Sequence, residues 1–487
     1  MKKNVLVILA LVLVSALSSA QNSHVHTRAS STLPALFLSD IHFDPFIDPT
    51  KAVALNSAPE ADWPRILDAP AGPALTLAQQ AAFTACYDNL DTSYALWQST
   101  LAELKKTATA SRFVVISGDL LAHKFDCKYK ALVPGATSAS YLAFTLKTAT
   151  YVLTTLHASL PRAPIYTALG NNDSGCVDYA LDAQNDAFLS GLAPLVADVA
   201  RLSPANRAPA ERDFASIGAY NAPLTALPHT RIVSFDDLYL TAKYNTCSGT
   251  RDPTPSATAI LWLKTQLDSA RAARERVWFV SHIPPGVDLY ATARKLTNVC
   301  GGAKATMFLG SDDLAQTLAA YPDVVRLALF GHTHDDELRF LSPALDGAGT
   351  VGVPVKLVGS ISPVHGNRPG FTLARVNPAS ATLVDYSVMM SSDPAAAHIT
   401  WSREYTFSTS YHQPAFDPAS LAALIADFQS DPGDKQPASQ AYIRGYYPAA
   451  TDVVTANAAV ISAAWQPYAC SLNHITAKSF ADCTCGK

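Results

Sequence analysis

Six short apolar runs punctuate this 487-residue chain: Ala35–Ser39, Arg112–Ser117, Ile165–Leu169, Val277–Ser281, Val324–Phe330 and Val355–Gly359. Their length and apolar content fit buried strands. Between them lie stretches with helical spacing, at Leu75–Thr107, Ala139–Ala158, Thr258–Arg274 and Asp312–Ala320. Strands alternating with helices predict an α/β layered architecture over residues 33–390. The stretch Ala193–Leu227, rich in Ala, Pro and Arg, reads as an excursion over the surface, a candidate substrate rim. After Met390 the alternation lapses, and residues 391–487 read as a C-terminal helical extension with helices at Pro418–Phe428 and Ala450–Ala464. Asp417 ahead of Pro418 has the form of a helix start, a capping side chain followed by proline at the first position.

The strand ends carry the chemistry. The first run stops at Asp40-Ile41-His42, the second at Gly118-Asp119 and the third at Gly170-Asn171-Asn172-Asp173. The fourth stops at His282 and the fifth at Gly331-His332-Thr333-His334. Ligand sites of open α/β sheets lie beyond the carboxyl ends of strands, so the five clusters are expected to converge. Asp40 with His42, and His332 with His334, are two apart and in extended chain would point to one side. Imidazoles, carboxylates and an amide oxygen suit zinc, manganese or iron better than calcium. Four His, two Asp and one Asn exceed what one tetrahedral ion uses. Two divalent ions sharing Asp119 is the economical arrangement, zinc being the first choice, with Gly118 letting the backbone pass close to them.

The compartment is legible too. Met1-Lys2-Lys3, an apolar stretch from Val5 to Leu17 and Ser18-Ser19-Ala20 form a signal peptide, with cleavage expected after Ala20. The stretch is short of the ~20 residues a spanning helix needs. The whole chain has 36 Lys and Arg against 40 Asp and Glu; losing Lys2 and Lys3 leaves 34 − 40 = −6. With that balance and no basic run, binding of duplex nucleic acid is not expected. Eight cysteines in an exported chain predict disulfides, and Cys470 has Cys483 or Cys485 as a local partner.

In their order, Asp-x-His, Gly-Asp, Gly-Asn-x-Asp, an isolated His and Gly-His-x-His resemble the calcineurin-like metallophosphoesterase superfamily over about residues 35–335. The resemblance implies a four-layer αββα sandwich with a dinuclear site. One ion would be held by Asp40, His42, Asp119 and His334, the other by Asp119, Asn171, His282 and His332. Purple acid phosphatases carry a metal-binding Tyr three residues after the bridging Asp, where this chain has Ala122; protein Ser/Thr phosphatases have Asp-Arg where it has Ala122-His123. Gly118-Asp119-Leu120-Leu121-Ala122-His123 is similar to the Gly-Asp-x-x-x-His of acid sphingomyelinase-like phosphodiesterases. The loop Ser362-Pro363…Asn367-Arg368-Pro369-Gly370-Phe371 agrees with that branch. Residues 21–85 contain no Cys, so the saposin module of the lysosomal sphingomyelinase is not expected here.

By that likeness a hydroxide between the two ions attacks phosphorus, and the substrate is a small phosphoester such as a nucleotide or a phospholipid head group. Many members carry His where this chain has Asn172, an amide that delivers no proton. His123 is therefore the candidate acid, with Asn172 donating hydrogen bonds to the transition state and Asp173 either catalytic or fixing a neighbour. His365, Tyr244 and Asn245 are further candidates near the leaving group, while His157, His229 and His412 receive no role. Gly-Asn-Asn-Asp also occurs in endopolyphosphatase-like relatives, which makes polyphosphate an alternative substrate. A catalytically weak phosphate-binding protein is the alternative from another class. Oligomeric state is not legible.

Overall fold

In the computed structural model the described residues are 32–486 without 87–89, 185, 397 and 447–457. The expected signal peptide and residues 450–457 of the expected Ala450–Ala464 helix lie outside them. From Thr32 the chain forms one compact unit. The strands are β1 (Leu33–Leu38), β2 (Val114–Ser117), β3 (Ile165–Ala168), β4 (Tyr220–Pro223), β5 (Thr230–Ser234) and β6 (Arg276–Val280). They continue as β7 (Val325–Phe330), β8 (Glu337–Leu341), β9 (Val353–Leu357), β10 (Gly370–Asn377), β11 (Thr382–Ser391) and β12 (Trp401–Thr406).

One sheet runs β12-β11-β10-β1-β2-β3, the other β4-β5-β6-β7-β9-β8. The strands that end in the chemical motifs, β1 to β3 and β6 with β7, are mutually parallel within their sheets, so their carboxyl ends share an edge. Antiparallel strands extend or close the sheets around them. Helices flank both sheets: Ala187–Val199 packs on β3, Thr254–Ala272 on β6, and Pro418–Gln429 on β8 and β9. The layers run helix, sheet, sheet, helix.

Aromatic and aliphatic side chains fill the space between the sheets. Phe37 and Phe113 meet Trp278 edge-on, at 5.8 and 5.3 Å between ring centroids. The Trp278 Nε1–H donates to the Ala381 carbonyl at 2.8 Å, which satisfies the indole in a dry core. Near the functional edge Ser117 Oγ donates to the Phe330 carbonyl (3.1 Å) and Ser234 Oγ to that of Thr167 (2.9 Å), tying one sheet to the other.

Several expectations are corrected. The single helix read at Leu75–Thr107 is two, Leu77–Cys86 and Tyr94–Thr107. Ser93 accepts a hydrogen bond from the Leu96 amide at 3.1 Å and starts the second, while Thr92 pairs with the segment after β1. The second buries Leu96, Trp97, Leu101 and Leu104, whereas the first buries only Cys86, which is tied to Cys127. The stretch Ala193–Leu227 is not an irregular excursion: it contains most of Ala187–Val199, all of Pro204–Ile217, and β4. Pro194 and Pro209 sit inside those helices at a cost of about 3 kcal/mol each. Burial of Phe188, Leu189, Leu192, Val196 and Phe214 offsets it. None of these residues lines the main cavity, so they form no rim. β10 and β11 escaped notice because their outer faces are partly solvated and break up the apolar run, and β12 lies where a helix was expected.

All eight cysteines pair: Cys86–Cys127, Cys176–Cys247, Cys300–Cys485 and Cys470–Cys483, the last choosing between the two local partners open to Cys470. The Pro418 helix starts on Asp417, whose side chain accepts from the Ser420 amide. Residues beyond 440 are laced to β8 and its flanks by backbone hydrogen bonds, Asp336 to Tyr446, Phe340 to Leu472 and Ile475 to Leu345. Among the described residues no helix is long and apolar enough to cross a membrane.

Trp278 of one sheet packs against Phe37 and Phe113 from the side of the other. Trp278→Ala is expected to cost about 3–5 kcal/mol, read as a lower urea midpoint at unchanged m-value.

Candidate metal centre

Three of the five motif-bearing strand ends, those after β1, β2 and β7, turn sharply. Asp40, His42, Asp119, His332 and His334 all have positive φ, between 43° and 71°, a conformation that side chains with a Cβ rarely adopt. Backbone bonds hold the turns: the Asp40 amide donates to the Gly118 carbonyl (3.0 Å), that of His42 to Asp119 (2.9 Å), and that of Phe43 to Leu120 (2.9 Å). Gly118 itself has φ +94°, and a Cβ there would meet the Gly170 amide and His282 Nδ1, both at 2.8 Å. A Cβ on Gly170 would fall on the Asp119 carboxylate. Strain of this kind survives where the surroundings over-determine it, and it concentrates at functional sites.

Asp119 is the hub. Its Oδ2 lies 3.3 Å from His42 Nε2 and 3.2 Å from His282 Nε2. On one side His42 Nε2 is 3.2 Å from His334 Nε2, which is 3.4 Å from Asp40 Oδ1. On the other, His282 Nε2 is 3.2 Å from Asn171 Oδ1. His332 stands at the margin: its ring meets His282 edge-on at 5.2 Å, and its Nε2 is 3.4 Å from the Tyr179 hydroxyl. Both oxygens of Asp40 accept from the His332 amide (3.1 Å) and Oδ2 also from Ser39 Oγ.

The donor set fits divalent cations. His42 Nδ1–H donates to the Leu121 carbonyl (2.8 Å) and His282 Nδ1–H to that of Ser117 (2.7 Å). Each Nε2 therefore presents a lone pair to other lone pairs unless something positive lies between them. Without metal that role falls to protons. Burial depresses His42 and His282, yet Asp119, with Asp40 behind it, overcomes burial and raises them to about 9 and about 10. Asp119 is held far below the usual carboxylate range: burial opposes this, and the two imidazoles prevail.

The neighbours divide into layers. Asn172 donates to Asp119 twice, from its backbone N–H to Oδ1 (2.9 Å) and from Nδ2 to Oδ2 (3.0 Å). Asp173 is fully buried and does not line the cavity; its oxygens accept from the backbone amides of Leu120, Leu121 and Gly170 at 2.8, 3.1 and 2.9 Å. It is a positioning residue that fixes the Asp119 turn. Burial, followed by the charge of Asp119, pushes its carboxyl up to about 7.

His123 stacks on His42 at 4.0 Å and is a third exposed, and Nδ1–H donates to Asp91 Oδ1 at 3.0 Å. Ring nitrogens of His42, His123 and His334 lie within 4.8 Å of one another. Asp91 is buried and also receives the His123 backbone amide and Ser362 Oγ. Burial works against its ionisation, and His123 and Lys128 hold it well below the usual range. Asp178 is a second partner that sequence reasoning missed, accepting from Asn171 Nδ2 at 2.7 Å and so turning Oδ1 toward His282. Asp91 was hidden inside the stretch read as one helix; the Asp91-Thr92-Ser93 capping cluster was its available signal. Asp178 carries none.

The centre forms the floor of a cavity of about 750 Å³, lined also by His365, whose ring lies 4.6 Å from that of His334. Tyr244 is buried elsewhere, its hydroxyl on the Leu181 carbonyl, and neither it nor Asn245 lines the cavity.

Residues 33–336 match the calcineurin-like phosphoesterase family. The chain belongs to that family. A cyclic GMP-AMP phosphodiesterase of Mus musculus, SMPDL3A, is 25% identical over 405 residues, covering 80% of this chain and 79% of its own. Sphingomyelinase phosphodiesterase C of Dictyostelium discoideum is 23% identical, covering 70% and 72%. A dimetal phosphatase structure from Danio rerio aligns with 73% of this chain and 95% of its own, at 12% identity and a TM-score of 0.40. The chain is thus a metal-dependent phosphoric ester hydrolase of the acid sphingomyelinase-like branch.

Gly170→Ala is expected to displace the Asp119 carboxylate. Metal content by emission spectroscopy should fall well below that of the parent while the far-ultraviolet circular dichroism is kept.

Proposed function

We propose that the chain is an exported phosphodiesterase for small phosphodiesters, working with two divalent ions, zinc by preference. Asp40, His42, Asp119 and His334 would hold one ion; Asp119, Asn171, His282 and His332 the other. The observation that carries this reading is the convergence of ligand atoms from both halves on Asp119 at the floor of a cavity. Bound there, the two ions would supply a hydroxide nucleophile and neutralise charge on the phosphate. Export is supported by the leader and by four disulfides, which persist in oxidising compartments.

The chain's own residues supply the rest. Leu121 and Ser117 carbonyls fix the orientation and tautomer of His42 and His282. Asn172 holds Asp119 with one N–H of its amide and has a second to offer a phosphate oxygen. His123 carries the proton for the leaving alkoxide, and Asp91 orients the ring through its Nδ1–H. This pair does the work that a His at position 172 would do. A polyphosphate substrate is disfavoured by the carboxylates Asp178, Asp288, Asp335 and Glu337 along the cavity.

Turnover of bis(p-nitrophenyl) phosphate by the metal-loaded protein tests the reading; none, at two ions bound per chain, would refute it. Asp119→Ala should abolish metal binding and turnover together. His123→Ala should slow diesters with alkyl leaving groups about 10²–10⁴-fold and p-nitrophenyl esters far less, since nitrophenolate leaves without a proton. Because His42 and His282 are protonated at pH 7 in the metal-free protein, metal uptake should release about two protons per chain. Titration with zinc in weak buffer and an indicator dye should show the release smaller by about two protons when the starting pH is above about 10, where both imidazoles begin unprotonated.

A further inference from the structure

The cavity continues past His334 into an arm that the metal centre does not use. Asp335 and Glu337 follow His334 by one and three residues, and Glu337 opens β8. The two-residue period puts Asp335, Glu337 and Arg339 on the face that lines the cavity, while Asp336 pairs with Lys356 on the other.

Glu337 is 1% exposed. Its Oε2 accepts from Arg339 Nη2 at 2.9 Å, but its Oε1 has no partner among the described residues. Asp335 receives the Tyr446 hydroxyl, and its buried Oδ1 is likewise without a partner among them. A buried acceptor lacking a donor costs about 1–3 kcal/mol, and two in one arm mark a place where a ligand is expected to bring N–H groups. Asp288 adds a third carboxylate, and Tyr446 and Tyr468 supply ring surface in the same wall. The cations of the arm are already engaged. Arg339 is held by Glu337 and by the Pro285 carbonyl (2.6 Å), and Arg294 lies over the Tyr290 ring at 5.3 Å.

We propose that this arm is a subsite for a protonated primary amine borne by the alcohol that the phosphodiester retains, recognised by Asp335 and Glu337. The inference rests on the phosphodiesterase reading above. An ammonium offers three N–H donors to the two orphaned oxygens and a charge to the tyrosine rings. A quaternary ammonium has the charge without the donors, and a second phosphate would be repelled.

The test uses three p-nitrophenyl diesters with the full-length, metal-loaded protein: 2-aminoethyl, 2-(trimethylammonio)ethyl and ethyl, after subtraction of uncatalysed rates. kcat/KM for the aminoethyl ester should exceed that for the ethyl ester about tenfold or more, as a charge-assisted hydrogen bond of 1.5–3 kcal/mol implies. It should also exceed that for the trimethylammonio ester. Asp335→Asn and Glu337→Gln should each lower the aminoethyl to ethyl ratio. Equal rates for the aminoethyl and ethyl esters would overturn the subsite, as would a trimethylammonio ester that matches or beats the aminoethyl one. A ratio unmoved in both variants would do the same. The parent protein alone decides the first two outcomes, so neither depends on a variant folding. If none of the three esters is turned over, the phosphodiesterase reading itself falls and this one with it.

Discussion

A single buried carboxylate, Asp119, organises the functional edge of this molecule. It lies between two imidazole nitrogens at 3.2 and 3.3 Å and is 1% exposed, surrounded by groups that are themselves buried. In so dry a place charge cannot be left to water, so each neighbour is committed. Asn172 donates twice to Asp119, Asp173 holds the turn from behind, and the distal nitrogens of His42 and His282 are tied to carbonyls. Removing negative charge from the hub or adding bulk beside it would leave several of these groups without partners at once.

The hub is possible because two sheets end at the same place. β1 and β2 bring Asp40, His42 and Asp119, and β3 brings Asn171, whereas His282, His332 and His334 follow strands of the other sheet. The Ser117 to Phe330 hydrogen bond and the close passage of Gly118 against Gly170 and His282 hold the sheet edges together. Five left-handed, non-glycine residues there would cost on the order of 1 kcal/mol or more each in isolation. The apolar contact between the sheets, with Trp278 in the middle, outweighs that cost and keeps the turns from relaxing.

Much of this was readable from the chain. Apolar runs ending in Asp, His and Asn locate the strands of the functional edge because buried parallel strands must be apolar along their whole length. β10, β11 and β12 lack that signature, since their outer faces are partly solvated, and they pass for loop or helix in a search for apolar runs. The proline-bearing helices failed for the opposite reason: local propensity argues against them and tertiary burial decides. At the site, residues at strand ends could be named from order and spacing. Asp91 and Asp178 could not, because what makes them matter is a hydrogen bond to a residue 32 positions away for Asp91 and seven for Asp178, each reaching the centre only through that partner.

The division of labour along the chain has a physical basis as well. Every proposed metal ligand falls within residues 33–336, the span that matches the family. The cavity wall facing them draws on Tyr446, Val460, Ile461 and Tyr468, from beyond that span. The segment between β6 and β7, which gives Asp288, Tyr290 and Arg294 to the same cavity, is joined to the C-terminal helix by Cys300–Cys485. His42, His282, Asn171, Asp119 and Asp40 are each fixed by a hydrogen bond to a further residue, which leaves little room for change there. The disulfide keeps the two pieces of wall in register even though the segment between β6 and β7 has little regular structure of its own. Strand ends from the family span and residues from the C-terminal end of the chain thereby meet across a single cavity.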